Sequence, residues 1–126
     1  MLTFTTLTSV NKCYLNFIEQ VYNKPCGCPS ILIVDDQFIN RFIIEEYCTR
    51  YNVPYDVSED GKDAVEKVLQ AGSNLCCRGY YLVLMDLNMP IMGGIEATRL
   101  IIQARSQRKV SIDLKVVGRY LQYVIA

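Results

Sequence analysis

The chain has 126 residues, 51% of them hydrophobic, and its 13 basic and 13 acidic side chains cancel. That length suits a single domain with a real core, and the balanced charge sets up no global field toward nucleic acid or membrane. No apolar run approaches the length needed to span a bilayer. The opening, MLTFTTLTSVNK, lacks the basic and apolar stretches of a secretory signal, so a cytoplasmic location is expected.

Residues 1–29 read as an extension or linker ahead of a domain covering residues 30–126. Tyr14, Leu15, Ile18 and Tyr22 fall at helical spacing and predict a short helix. It could serve oligomerisation, end an upstream domain or pack on its own domain, and its spacing fits all three. Lys24-Pro25-Cys26-Gly27 then reads as a break.

The six cysteines do not read as a disulfide framework. Cys13, Cys48, Cys76 and Cys77 sit in aliphatic or helix-like surroundings, where free Cys packs as a small hydrophobe. Cys26-Gly27-Cys28 hints at metal or redox chemistry. The chain has no His, however, and the other close pair, Cys76-Cys77, is adjacent, so this spacing is a poor fit to a tetrahedral zinc site. Reduced thiols are the expectation.

From residue 31 the pattern becomes regular. ILIVDD is four aliphatics followed by two acids, as in a central parallel strand buried on both faces. QFINRFIIEEYCTRY predicts an amphipathic helix, with Ile39, Ile43 and Tyr47 spaced four apart. VPYDVS is a short second strand whose Pro54 fits an edge position. Asp60-Gly61 makes a turn, and Ala64, Val65, Val68 and Leu69 mark a second helix with Gly72 as its C-cap. YYLVLMD is a third strand, bulky and continuous. GGIEATRLIIQAR is a third helix with Ile95, Thr98, Leu100, Ile101 and Ile102 on its inner face, and LKVVG (114–118) is a fourth strand. This alternation predicts an α/β fold, a right-handed, doubly wound parallel sheet.

In such sheets functional groups gather beyond the C-terminal strand ends, where strand order reverses. Asp35 and Asp36 end the first strand and Asp86 ends the third. In a 2-1-3-4 order these three carboxylates meet, and their mutual repulsion raises their pKa values unless a cation is present. A hard divalent ion answers that, and Mg²⁺ suits a few carboxylates with waters and a phosphoryl oxygen. One of the carboxylates could also attack a phosphoryl group. A helix cap or a turn explains either strand end alone. It is a weaker account of both ends of adjacent buried strands, where uncompensated charge would destabilise twice.

These residues resemble the receiver domain of two-component response regulators. The resemblance rests on ILIVDD and on LVLMDLNMPIMGGIEATR, with Asp86 fifty residues after Asp36, and it runs from Ile31 to Gly118. Asn40-Arg41 and EDGKDAV (59–65) have the form found in hybrid histidine kinases. The resemblance implies a flavodoxin-like fold, Asp86 as phosphoacceptor, and Asp35 and Asp36 as the acid pocket. It further implies Mg²⁺ held by Asp36, Asp86 and the Asn88 backbone carbonyl, with Asp35 reaching the ion through water. The phosphodonor would be a histidine kinase or a histidine phosphotransfer protein, and nucleic acid is not expected as a direct partner. Pro90 and Gly94 match the family's turn before the third helix, and Gly93 stands where an acid is usual.

Other family positions are not matched. The Thr or Ser expected after the fourth strand falls near Tyr120, whose rigid ring is too long to substitute. The Lys expected after a fifth strand has no counterpart, since Lys115 lies inside the fourth, and the fifth strand and last helices are missing. Loss of that cationic contact should weaken phosphorylation and its readout. An open fourth strand and a first helix lacking a neighbour should also leave apolar surface exposed. Six basic residues between Arg99 and Arg119 read as a solvated helix end and loop.

The expected function is a phosphoacceptor module in a His-to-Asp relay, not an enzyme. The alternative is a pseudo-receiver that keeps the fold but acts as an interaction module without switching. A haloacid-dehalogenase-like phosphatase ranks last. It would want a second acid where Asn88 stands, and a cap domain.

Overall fold

The computed structural model describes residues 26–74 and 76–118. The predicted helix around Tyr14–Tyr22 and the position of Tyr120 lie outside the described residues.

Four short strands and three helices alternate. They are β1 (Ile31–Val34), α1 (Phe38–Arg50), β2 (Tyr55–Ser58), α2 (Gly61–Gly72), β3 (Leu82–Met85), α3 (Gly94–Ser106) and β4 (Lys115–Gly118). The sheet order is β2-β1-β3-β4 and every pairing is parallel. Ile33 pairs with Val57 on one side and with Leu84 on the other, which puts β1 and β3 at the centre of the described sheet. β2 lies at an edge, so Pro54 costs no ladder hydrogen bond there.

The larger core lies under α2 and α3. Leu32, Val34, Val83, Met85 and Val116 from the strands meet Ala64 and Val68 of α2 and Ala97 and Ile101 of α3. All of these are essentially inaccessible to water. Asp60 caps α2, its Oδ1 accepting the Asp63 backbone N–H at 2.8 Å. Gly72 is the last residue of α2 rather than its cap, and Ser73 takes the cap position. Glycine is required at 72 because an added Cβ would come 2.6 Å from the Lys109 carbonyl oxygen.

The second core, on the other face, is small: Ile33, Cys48 and Val53, with Ile31, Ile44, Tyr55, Val57 and Tyr81 packed around them. α1 turns Arg41, Ile44 and Cys48 inward. The row Ile39, Ile43 and Tyr47 points outward and is more than half exposed, together with Phe38 and Tyr51. Period alone marked that row as one face of a helix without showing which way it turns. On the same side of the sheet Leu82, Leu84 and Val117 are only half-buried, so β3 is not covered on both faces as its sequence predicts.

α3 departs from expectation in one respect. Its inner face is Gly94, Ala97, Thr98, Ile101 and Ala104. Ile95 is 66% exposed, and Leu100 and Ile102 sit on the flanks, half-buried. Small residues face inward because α3 packs closely along α2, leaving no room for larger ones.

Candidate functional site

The ladder hydrogen bonds run one residue past the strands and set the acids just beyond the sheet. The Asp35 N–H donates to the Ser58 carbonyl (3.1 Å) and the Asp86 N–H to the Val34 carbonyl (2.9 Å). Carboxylate oxygens of Asp35, Asp36 and Asp86 lie within 4.8 Å of one another. Asp35 and Asp86 are buried and Asp36 is half-buried.

Local backbone holds two of these groups. The Gln37 N–H donates to Asp35 Oδ1 at 2.8 Å, and the Asn88 N–H donates to Asp86 Oδ1 at 3.2 Å. The Asp86 carboxyl is nevertheless pushed above its ordinary value of 3.8. Burial is the main cause. The Asn88 N–H opposes it, and the neighbouring charges of Asp35 and Asp36 add to it. A buried carboxylate crowded by two others is an oxygen-rich, electron-rich pocket that suits a small hard cation, so the residues present fit Mg²⁺. The mixed burial leaves Asp36 reachable from solvent beside two buried partners.

The loop after β3 folds back against the Asp86 backbone. The Gly94 N–H donates to the Leu87 carbonyl (3.1 Å), and a Cβ at Gly94 would overlap the Asp86 carbonyl. Gly93 has no such contact. Its nearest atom would be the Leu87 oxygen at 3.5 Å, so a larger residue there is sterically free. Between them and Pro90, Ile91 adopts φ 68°, a left-handed conformation that is costly for a β-branched residue. The Met92 carbonyl at the end of this turn accepts the Gly61 N–H (3.2 Å) and so ties the loop to the start of α2.

Sequence reasoning set Asp35, Asp36 and Asp86 together, and the fold brings those three carboxylates to one place; Asn88 touches the group through its backbone N–H on Asp86 Oδ1. Sequence reasoning assigned no structural role to Arg41. This side chain is 8% exposed and its guanidinium donates to the Asp35 backbone carbonyl at 2.8 Å, fixing the turn that carries Asp35 and Asp36. It also lies 5.9 Å from the centre of the Phe38 ring. Ser58 was also missed; its buried hydroxyl donates to Asp63 at 2.6 Å and holds that carboxyl below its ordinary value. Neither residue type announces a buried role in sequence. Of the basic run, Arg105 serves the fold itself, donating to the Leu114 carbonyl at 2.8 Å ahead of β4.

Residues 31–114, two thirds of the chain, match the family described as response regulator receiver domain. The chain belongs to the receiver-domain family. This receiver domain is 37% identical over 100 residues to the two-component response regulator 24 of Arabidopsis thaliana, covering 79% of this chain and 63% of that protein. It is 38% identical over 69 residues to the autoinducer 2 sensor kinase/phosphatase LuxQ of Vibrio vulnificus, covering 55% of this chain and 7% of LuxQ. The receiver domain thus spans less than two thirds of these relatives' length. Among solved structures, the receiver domain of the Arabidopsis thaliana histidine kinase CKI1, complexed with Mg²⁺ and BeF₃⁻, aligns with a TM-score of 0.59 and 26% identity. That alignment covers 80% of this chain and 70% of the other. The co-crystal structure of the Saccharomyces cerevisiae phosphotransfer protein Ypd1 with the Ssk1 receiver domain matches at TM-score 0.55 and 30% identity, covering 64% and 50%. The order β2-β1-β3-β4 is that of a flavodoxin-like receiver, as the sequence predicts. No helix among the described residues is long and apolar enough to cross a membrane.

Proposed function

We propose that this receiver domain accepts a phosphoryl group on Asp86 from a phosphohistidine. The observation that carries this reading is the convergence of Asp35, Asp36 and Asp86 at the ends of two adjacent central strands. An Asp86 oxygen attacks phosphorus in line, an acyl phosphate forms, and the P–N bond breaks to return the electron pair to the leaving imidazole. Asp36, Asp86 and the Asn88 backbone carbonyl would hold Mg²⁺, with Asp35 acting through a water. When bound, Mg²⁺ supplies charge neutralisation for the carboxylates and for the transferred group. Gln37 and Asn88 keep one oxygen of Asp35 and Asp86 turned toward backbone N–H groups, which orients the remaining oxygens for ligation and attack.

The chain contains no His, so the donor is supplied from outside these 126 residues. A histidine kinase or a histidine phosphotransfer protein is the partner class, in keeping with the likeness to LuxQ and to the Ssk1 receiver domain co-crystallised with Ypd1. The domain on this reading is a signalling phosphoacceptor rather than a turnover enzyme. The exposed apolar row of α1 favours a second reading, an interaction module of receiver fold that does not switch.

Beryllofluoride with Mg²⁺, followed by ¹⁹F NMR, separates the two. A bound signal that needs Mg²⁺ and disappears in Asp86→Asn supports the phosphoacceptor. A folded protein that binds no beryllofluoride overturns it in favour of the interaction module.

A further inference from the structure

At the end of the sheet opposite the carboxylates, four thiols meet. Cys26 and Cys28 lie on the segment leading into β1, and Cys76 and Cys77 lie in the turn between α2 and β3. Their four Sγ atoms fall within 4.8 Å of one another. Two short-range pairs that look unrelated in sequence are brought together by the pairing of β1 with β3. The Ser30 carbonyl reinforces that pairing just before the strands, accepting the N–H groups of Tyr81 (2.8 Å) and Leu82 (3.2 Å). The structure places Cys76 and Cys77 in a turn rather than in helix-like surroundings, and it brings together two pairs whose spacing in sequence does not suggest one site.

Packing does not account for the cluster. Cys48 behaves as a hydrophobe and is buried beside Ile33 and Val53. Of the other four, Cys76 is exposed and the rest are half-buried, so gathering them hides little surface. We propose that Cys26, Cys28, Cys76 and Cys77 form a tetrathiolate site for one Zn²⁺ ion, which clamps the segment leading into β1 to the turn between α2 and β3. Thiolates about 2.3 Å from a tetrahedral zinc stand ~3.8 Å apart, so the cluster has to contract by about 1 Å at most. Small χ1 rotations on two turns supply that. Loading exchanges the thiol protons for the ion, with no change of oxidation state.

Outer hydrogen bonds suit the assignment. Asn74 accepts the Cys76 N–H on Oδ1 at 2.8 Å and places its Nδ2 4.0 Å from Cys28 Sγ, a donor for a thiolate that carries metal-bound charge. The Cys28 N–H draws Cys26 down to about 7, and hydrogen bonding to Cys26 and Cys77 pushes Cys28 up to about 12. Four sulfur donors suit a closed structural site for a soft ion, unlike the all-oxygen pocket at Asp86.

The test uses the full chain, reduced, in excess Mg²⁺ so that the carboxylate pocket does not compete. After exposure to Zn²⁺ and gel filtration, elemental analysis should find one zinc per chain in the wild type and in Cys48→Ala. Cys28→Ser with Cys77→Ser should retain less than a tenth of that. Co²⁺ added to the wild type reads the ligands directly, through sulfur-to-cobalt charge-transfer bands and the tetrahedral d–d spectrum, and Cys76→Ser should reduce the charge-transfer intensity by about a quarter. A folded, reduced wild type that gives no tetrahedral thiolate spectrum overturns the site. So does zinc uptake undiminished in the Cys28→Ser, Cys77→Ser variant, or a pair of disulfides that forms in the presence of Zn²⁺ and removes four thiols.

Discussion

The α-carbon of Gly94 lies against the backbone carbonyl of Asp86, so close that a single added methyl group would overlap it. This contact lets α3 begin directly behind the acid and fixes how far Asp86 projects past the sheet. Gly94→Ala should therefore cost about 2–4 kcal/mol. Urea unfolding checks the stability, and loss of beryllofluoride binding in the folded fraction checks the site. Gly93→Ala, one residue earlier, should stay within about 0.5 kcal/mol of wild type, because nothing crowds it.

Asp86 is expected to weaken the domain at neutral pH when no divalent ion is supplied. Its carboxyl is raised above 3.8 in the folded state, chiefly by burial. A raised carboxyl contributes stability below its unfolded value, and that contribution is lost as pH rises through the folded value. Asp86→Asn should match the wild type in acid and be the more stable of the two at pH ~7 in chelator. Adding Mg²⁺ at a hundredfold excess over Kd should stabilise the wild type by about 2.7 kcal/mol and remove the variant's advantage. Thermal unfolding across pH, with and without Mg²⁺, measures both.

Arg41 should matter more for its hydrogen bond than for its ion pair. The bond to the Asp35 carbonyl is buried, whereas Glu59, 3.5 Å away, has a side chain 76% exposed. Arg41→Met leaves that carbonyl without its charged donor and should cost about 2–3 kcal/mol. Glu59→Gln should change stability by less than ~0.5 kcal/mol. Equal losses from the two variants in urea titrations would contradict this assignment.

Thr98 offers a gain. Its Oγ1 is buried in α3 with no hydrogen-bond partner among the described residues. Thr98→Val keeps the shape and removes the unsatisfied hydroxyl, so stability should rise by about 1 kcal/mol. The change lies on the inner face of α3 and should leave beryllofluoride binding intact. A loss of stability would mean that the hydroxyl is satisfied by water.

Much of this domain is written in local pattern. Four aliphatics ending in Asp35-Asp36 and another four ending in Asp86 mark two parallel strands whose acid-bearing ends converge in the fold. The alternation of strands and helices then limits the topology almost to the one observed.

Other features were decided only when the chain closed on itself. Spacing groups Ile39, Ile43 and Tyr47 on one helical face, but only packing on the sheet shows that Arg41, Ile44 and Cys48 turn inward instead. Period reports which residues share a face and carries no information about what lies opposite. The same limit hid Arg41, whose partner is a backbone carbonyl that any residue could supply. It also hid the thiol cluster, where an adjacent pair and a Cys-Gly-Cys pair become one group because β1 and β3 run side by side. Composition and period are properties of neighbours along the chain, whereas a site is a property of neighbours in space.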